Sequence, residues 1–283
     1  MSTTAVPQTS VKPRRFEVLG ALVRSATFDT GVLILLLWVL CALFRHWLVP
    51  HDPYASDPLN SLTPPSGDHW FGTDQLGCDV FARVIVGSRD ILTIAPLATL
   101  IGTAIGLVVG YFDGWVDAAI GRAIDALLVL PLVIVALLAL AAVGASNTTV
   151  ILVIGLTFAP ITARTVHAAV LGERHLDYVL AAQLRGENAL YIMFAEILPN
   201  VLPPIIVEAT VQLGYAIFAV ATLSFLGFGI QPPSADWGLA LSESYTLMAG
   251  GAWWTVVFDA AAIASLVVAV NLVADAVQGV LDR

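Results

Sequence analysis

Long apolar stretches alternate with polar segments along most of this chain. Six of these stretches are long enough to cross the bilayer core as helices, which takes about 17–25 residues. Arg45 lies near the end of the first stretch, where its side chain can reach the membrane surface. The pattern predicts an all-α, polytopic membrane protein with six transmembrane helices. The predicted spans are residues 31–49, 91–112, 126–145, 147–163, 201–227 and 252–274.

The polar segments predict how the chain is placed across the membrane. Residues 1–30 form a leader, and residues 50–90 form a long loop. Residues 91–283 form the core of the protein. Within the core, residues 172–200 form a charged segment between the fourth and fifth of the six spans. Nine of the twelve basic residues fall on the side of the leader and segment 172–200. Because basic residues are retained in the cytoplasm, we expect both termini to be cytoplasmic and loop 50–90 to be extracytoplasmic.

Composition mainly excludes classes of protein. Of the 283 residues, 58% are hydrophobic and only 12% are charged, which excludes an ordinary soluble domain. The two cysteines and five histidines show no disulfide or metal-site spacing, so no metal is expected. A phosphate-binding loop needs a lysine in its glycine-rich turn, and the only lysine is Lys12, in the leader. The chain is therefore expected to be non-catalytic, with any ATP hydrolysis on separate chains.

Segment 172–200 has the pattern of two short amphipathic helices. Apolar residues recur every three or four positions on either side of Gly186, a residue typical of helix ends. Asn188 is predicted to cap the second helix and Pro199 to end it. The apolar stripes can pack either on lipid or in a groove of another protein. Acidic and basic residues are balanced in this segment, which favours the protein groove. The stripe residues are Leu176, Val179, Leu180, Leu184, Leu190, Met193, Phe194 and Ile197.

Three polar residues within the predicted spans are candidates for a translocation path. An acidic side chain in the middle of a membrane helix costs about 2.5–3.5 kcal/mol, so it must be sheltered from lipid. Such residues are expected to face the bundle interior or a water-filled path, and a structural contact between helices is the alternative. The candidates are Glu208, Asp259 and Asn271.

An autonomous channel or a secondary transporter is the rival class. A channel is expected to show rings of pore-lining residues or a selectivity filter, and a secondary transporter two related halves. Neither pattern is visible in this sequence.

Part of segment 172–200 resembles the cytoplasmic coupling motif of binding-protein-dependent ABC importer permeases. Ala181 and Ala182, then Gly186, then residues 197–199 match that motif, although Leu180 stands where the family usually has glutamate. The resemblance implies that this segment docks on an ATPase. The implied coupling residues are Asp177, Ala181, Ala182, Gln183, Gly186, Glu187, Ile197, Leu198 and Pro199.

Two further segments are similar to the dipeptide, oligopeptide and nickel permeases of that family. They are residues 71–89, with Cys78 where relatives usually have arginine, and residues 223–238. Glycines in these segments permit tight turns, and Trp237 is expected to anchor at the membrane interface. Acidic residues outnumber basic residues on the extracytoplasmic side of the predicted topology. They are expected either to orient a partner with a basic face or only to keep the loops soluble.

The resemblance implies the type I ABC importer permease fold and a place in the bacterial cytoplasmic (inner) membrane. The implied partners are a second homologous permease subunit, two ATP-binding subunits and an extracytoplasmic solute-binding protein, besides the lipid bilayer. No nucleic acid is expected, and no cofactor in this chain, since ATP and Mg²⁺ are bound by the partner ATPases. The implied substrates are dipeptides or oligopeptides, with a nickel chelate or haem as alternatives.

Overall fold

The chain folds into helices and their connections. A computed structural model describes residues 25–112, 114–144, 146–229 and 232–281, and within these ranges it has no β-strand. The prediction of an all-α protein is therefore confirmed. The helices are α1 (Ala26–Leu48), α2 (Val80–Tyr111), α3 (Trp115–Val129), α4 (Leu132–Val143), α5 (Asn147–Glu173), α6 (Asp177–Leu184), α7 (Ala189–Phe225), α8 (Trp237–Ser244) and α9 (Trp254–Leu281).

Five helices, α1, α2, α5, α7 and α9, are long and apolar enough to cross a membrane within the described ranges. The predicted third span, residues 126–145, is not one straight helix, because it covers the end of α3 and the whole of α4, which meet at 96°. Leu130 is extended, with φ −83° and ψ 141°, since the ring of Pro131 disfavours the helical conformation in the residue before it. Counting α3 and α4 as one broken span gives six.

Several helices extend beyond the apolar stretches. α2 begins inside the predicted loop 50–90, α1 begins within the predicted leader, and α5 continues past residue 163. Hydropathy marks only the part of a helix that lipid surrounds, whereas caps can start a helix in water. Ser25 and Asp79 supply such caps to α1 and α2. Residues 1–24 of the predicted leader lie outside the described residues.

α2 and α5 form the most extensive helix pair. Gly102, Gly106 and Gly110 lie along the face of α2 that touches α5. A Cβ atom added at Gly106 would lie 2.6 Å from the carbonyl oxygen of Ala163 and 2.6 Å from the Cβ atom of Val166. Small residues spaced by four let membrane helices approach through their backbones. The hydrophobic pattern does not reveal this contact, although the spacing is present in the sequence.

The bundle has two different ends. At the loop end, which comprises residues 49–79 and 232–253, the indole N–H of Trp254 donates to the carbonyl oxygen of Thr73 at 3.1 Å. At the other end lies the elbow, residues 172–200, where Arg174 donates to the carbonyl oxygen of Gly110 at 3.0 Å. Because α2 begins at the loop end and finishes at Tyr111, the two polar segments lie at opposite ends of that helix.

Candidate coupling and transport sites

The elbow turns sharply between α6 and α7. Gly186 has φ +78°, a left-handed conformation that strains residues carrying a Cβ atom. Its backbone N–H donates to the carbonyl oxygen of Gln183 at 3.0 Å, which closes the end of α6. The Oδ1 atom of Asn188 accepts from the N–H of Tyr191 at 2.7 Å. The predicted helix end at Gly186 and the predicted cap at Asn188 are thus confirmed.

The predicted end of the second elbow helix at Pro199 is wrong. α7 includes Pro199 and is 37 residues long in total, which corresponds to about 56 Å. Residues Ile192–Ile197 form a wide π turn, and the N–H of Leu198 donates to the carbonyl oxygen of Met193. Pro199 follows directly after this wide turn, where the helix accommodates a residue without an N–H group. The elbow and the membrane span therefore share one continuous helix.

The elbow buries one side and exposes the other. Val179, Ala182 and Ile197 are fully buried and pack with side chains at the ends of α2 and α5. Leu184, by contrast, is 90% exposed. The predicted stripes therefore face the chain's own core only in part. The large apolar residues that stay exposed include Leu176, Leu180, Leu184, Leu190 and Phe194.

Polar contacts hold the elbow in one position. The phenol O–H of Tyr178 donates to Oε2 of Glu173 at 2.7 Å. Burial and this hydrogen bond both favour the protonated phenol, and together they raise the pKa of Tyr178 to about 12. Arg185 donates to Oε1 of Glu196 at 3.0 Å, which joins the end of α6 to α7 across the turn. These two contacts therefore link α6 to α5 and to α7.

The implied coupling residues are distributed over both sides of the elbow. Ala182 and Ile197 belong to its buried base, and Ala181 points the other way, into solvent. Asp177, Gln183 and Gly186 are also exposed. Glu187, Leu198 and Pro199 are half-buried.

Buried side chains that hydropathy does not mark hold the loop end together. Trp237 is fully buried, and its indole N–H donates to the carbonyl oxygen of Val84 at 2.9 Å. Its predicted position at the membrane interface is therefore wrong, because the indole fastens α8 to α2. Arg83 donates to the carbonyl oxygen of Ser234 at 2.8 Å and pairs with Asp74 at 3.3 Å.

Some acidic residues of the loop end serve the fold. Asp79 and Asp236 are buried, and each accepts a hydrogen bond from a backbone N–H in the first turn of a helix, at 2.7 and 2.8 Å. Burial raises the pKa of Asp236 to about 6. Asp52 and Asp68 remain exposed. The acidic surface at this end is therefore smaller than the sequence suggests.

A cavity of about 300 Å³ opens beside Asp259 at the loop end. Asp259 is 3% exposed, and its Oδ1 atom has no hydrogen-bond partner among the described residues. Asp74, Glu243 and Arg83 also line the cavity, so carboxylates outnumber guanidinium groups there. Asp74 is already paired with Arg83, and burial raises the pKa of the Glu243 carboxyl group above its usual value.

The three predicted path residues have different surroundings. Glu208 lies between α5 and α7, where it accepts hydrogen bonds from Thr165 at 3.0 Å and from Gln212 at 2.8 Å. Asn271 is exposed and donates to a carbonyl oxygen of its own helix at 2.9 Å. It lies about 18 Å further along α9 than Asp259. Asp259 and Asn271 therefore lie at different levels of α9.

Two histidines and an aspartate, residue types that can bind metal ions, lie close together at the loop end. The spacing of the histidines in the sequence does not indicate this group. The Nδ1 atom of His69 is 2.7 Å from Oδ2 of Asp79, and the Nδ1 atom of His51 is 3.4 Å from the same oxygen. His51 follows α1, His69 lies in the middle of the connection, and Asp79 precedes α2. Folding brings them together, which sequence spacing alone could not reveal.

The helical bundle with a charged elbow defines a class of multi-pass membrane protein, and comparison with known families names that class. Residues 102–283 match the family described as "Binding-protein-dependent transport system inner membrane component". This match covers more than half of the chain, so the chain belongs to that family. The resemblance to this family, which is based on the elbow and on residues 71–89 and 223–238, is therefore confirmed.

Named relatives are similar to most of the chain. The probable D,D-dipeptide transport system permease protein DdpC of Escherichia coli strain K12 is 37% identical, over 99% of this chain and 95% of the relative. The dipeptide transport system permease protein DppC of the same organism is 39% identical, over 89% and 87%. The di/tripeptide transport system permease protein DppC of Pseudomonas aeruginosa strain UCBPP-PA14 is 37% identical, over 89% and 86%.

Proposed function

We propose that this chain is the permease subunit of an ATP-driven importer of dipeptides or oligopeptides. It forms half of the translocation pore, with a second homologous permease subunit as the other half. Two ATP-binding subunits and an extracytoplasmic solute-binding protein complete the transporter. Family membership and the names of the peptide permeases support this proposal. None of the three relatives is named for a nickel chelate or haem, so peptides are the substrate class we favour.

The chain contributes no chemical step in this proposal. ATP and Mg²⁺ are bound by the partner ATPases, since the single lysine, Lys12, is not part of a phosphate-binding loop. Both termini and the elbow lie in the cytoplasm, because most of the basic residues belong to that side. The loop end then faces the solute-binding protein.

The observation that carries the proposal is the exposed side of the elbow. Leu180, Leu184 and Leu190 project from a surface whose other side is packed on the bundle. A run of exposed large apolar side chains marks a contact with a protein or with lipid, and the balance of acidic and basic residues in the elbow favours a protein. We therefore place the ATPase on this side of the elbow, and the departure from the family's glutamate at Leu180 adds apolar surface to the contact.

A movement of the ATPase can reach the membrane through two connections. The buried base of the elbow, with Ala182 at its centre, contacts α2 and α5. α7 begins in the elbow and ends at Phe225, next to the loop end. The ATPase shifts the bundle between inward- and outward-facing states only if it binds the two states with different free energies. The continuous helix provides a direct covalent link for this purpose.

The three polar path residues have different support. Glu208 is half-buried between two membrane helices, which suits a position beside a water-filled path. Asp259 lines the cavity at the loop end, where its carboxyl group is a candidate partner for a peptide's ammonium group. Asn271 is exposed on α9, and in the assembled transporter its side chain faces the second permease subunit or the path.

Replacing Leu184 with aspartate tests the docking site and the function together. The transporter subunits are co-expressed, purified and reconstituted with the solute-binding protein, and ATP-dependent uptake of labelled peptide is measured. Truncation of a hot-spot residue costs about 2 kcal/mol or more, and aspartate in place of leucine adds the cost of burying a charge in the contact. We therefore expect Leu184→Asp to reduce both ATPase co-purification and uptake by about tenfold or more.

Leu59→Asp is the matched control. Leu59 is 96% exposed, like Leu184 at 90%, but it lies at the loop end. It should leave ATPase co-purification unchanged. Equal losses in the two variants would disprove docking at the elbow, and uptake of peptide by this chain alone without ATP would favour a secondary transporter or channel instead.

A further inference from the structure

Three side chains at the loop end converge on one point. The Nδ1 atoms of His51 and His69 and a carboxylate oxygen of Asp79 all lie within 4.8 Å of one another. The two imidazole rings are 4.9 Å apart between centroids and tilted by 39°. Both nitrogen atoms approach the same oxygen, Oδ2 of Asp79, rather than one oxygen each. In the part of the chain that the structure describes, this is the one group of three such ligands.

The backbone holds each of the three in place. Asp79 is buried, and its Oδ1 atom is occupied by the N–H of Ala82, which turns Oδ2 towards the histidines. The carbonyl oxygen of His69 accepts hydrogen bonds from the N–H groups of Ser66 and Gly72, at 2.8 and 3.0 Å. His51 lies between two prolines of the sequence, at positions 50 and 53, which restrict the backbone around it.

An ion pair does not account well for this arrangement. One imidazole N–H donating to Oδ2 satisfies the 2.7 Å contact of His69. The second imidazole, from His51, then has no clear reason to aim its Nδ1 atom at the same oxygen.

We propose that His51, His69 and Asp79 bind a divalent transition-metal ion, for which Zn²⁺ is the probe. Two imidazole nitrogens and one carboxylate oxygen form a donor set that zinc accepts, with water completing the coordination. Donor atoms about 2.0–2.2 Å from a tetrahedral zinc ion lie about 3.4 Å from each other. The His51–Asp79 separation is 3.4 Å, and the His69–Asp79 separation of 2.7 Å has to widen by a small side-chain rotation.

The metal ties together two helices that a long connection separates. His51 follows the end of α1, and Asp79 caps the start of α2. The side chain of His51 is 43% exposed, so an ion can enter from solvent. Binding therefore fixes the connection between α1 and α2 at the loop end. This proposal is independent of the transported substrate and departs from the expectation, based on histidine spacing, that the chain holds no metal.

Zinc titration of the full-length chain tests the proposal. The protein, purified in detergent without a histidine tag, is titrated with Zn²⁺ by calorimetry, and its thermal unfolding is followed with and without the ion. We expect one equivalent to bind and the unfolding temperature to rise. Changing groups outside the coordination sphere already costs about 10–100-fold in affinity. His51→Ala, which removes a direct ligand, should therefore lower the Zn²⁺ affinity by at least about tenfold.

Two variants separate a metal ligand from a merely structural histidine. His46→Ala removes an exposed histidine at the end of α1 that lies outside the three ligands, and it should bind Zn²⁺ as the wild type does. His51→Cys keeps a zinc ligand but cannot form a cationic imidazolium, so it should retain binding. Mg²⁺, which prefers oxygen ligands, should not raise the unfolding temperature.

Three results would overturn the proposal. They are the absence of one-equivalent Zn²⁺ binding to the wild type, equal affinities in His51→Ala and His46→Ala, and loss of binding in His51→Cys as complete as in His51→Ala. His51 is partly exposed and its side chain caps no helix, so its replacement should leave the elution profile and the metal-free unfolding temperature unchanged. A variant that fails this check is replaced by His69→Ala, judged by the same comparison with His46→Ala.

Discussion

The loop end and the elbow use apolar side chains in opposite ways. At the loop end, Trp237 and Trp254 are buried, and each indole N–H donates to a backbone carbonyl oxygen. At the elbow, Leu184 and Leu190 project into solvent from helices whose other side is packed. One end completes its own core, and the other presents half of an interface.

This difference shows where the chain needs a partner for its packing. Some buried polar groups of the loop end find partners within the chain, as the contacts of Arg83 with Ser234 and Asp74 illustrate. The elbow leaves apolar area exposed in a segment that carries enough charge to lie in water. A change at the loop end should therefore cost folding stability, whereas a change on the outer side of the elbow should cost assembly instead.

Trp237→Ala should have the largest effect on stability. Truncating a fully buried tryptophan costs about 3–5 kcal/mol, and here it also leaves the carbonyl oxygen of Val84 without its donor. Trp253→Ala, at another tryptophan of the loop end that is 46% exposed, and Leu184→Ala should each stay within about 0.5–1 kcal/mol of the wild type. Unfolding of the three variants in detergent measures the comparison. A loss in Leu184→Ala as large as that in Trp237→Ala would erase the difference between the two ends.

Asp236→Asn should remove a pH dependence that belongs to the loop end. Burial raises the pKa of Asp236 from 3.8 to about 6. The folded chain then binds the proton more tightly than the unfolded chain, so this group contributes stability below pH 3.8 and loses it as the pH rises through about 6. Lowering the pH from 7 to 5 should stabilise the wild type by about 1 kcal/mol relative to Asp236→Asn. Parallel pH profiles of the unfolding temperature in the two proteins would contradict this assignment.

Arg185→Gln should have the smallest effect, and at the elbow only. Its pairs with Glu196 at 3.0 Å and with Glu187 at 3.8 Å are largely exposed. Exposed ion pairs contribute about 0.2–1 kcal/mol and are screened by salt. The difference in unfolding free energy between this variant and the wild type should therefore shrink when the salt concentration is raised. A loss above about 2 kcal/mol would mean that the elbow depends on this pair more than its exposure suggests.

Local patterns in the sequence predict the features that depend on neighbouring residues. Gly186 and Asn188 can be assigned because a helix end and a cap involve only residues within one turn. Pro199 misleads the same approach, since its effect depends on the wide turn formed by residues 192–197, which has no simple sequence signature. The bend between α3 and α4 is a partial exception, because Pro131 is visible but lies within an otherwise uniform apolar stretch.

Features that join distant residues were not predictable from spacing. The burial of Trp237 depends on Val84, and the histidine group depends on how residues 51, 69 and 79 fold together. The glycine stripe of α2 is an intermediate case. Its spacing of four residues is visible in the sequence, but the sequence does not indicate that α5 is the helix that packs against it. Tryptophan is frequent both at membrane interfaces and in buried contacts, and only the tertiary contact distinguishes the two.

The sequence by itself determined the all-α membrane class, the approximate spans, the turn of the elbow and the family, because hydrophobic length and short motifs are local properties. Tertiary structure alone decided which side of each amphipathic helix is buried, how far α7 continues, and which polar residues meet. The physical reason is that burial and side-chain contacts depend on the packing of helices that are far apart in the chain. Hydropathy records the affinity of a residue for an apolar environment, but not whether lipid, a neighbouring helix or a partner subunit provides it.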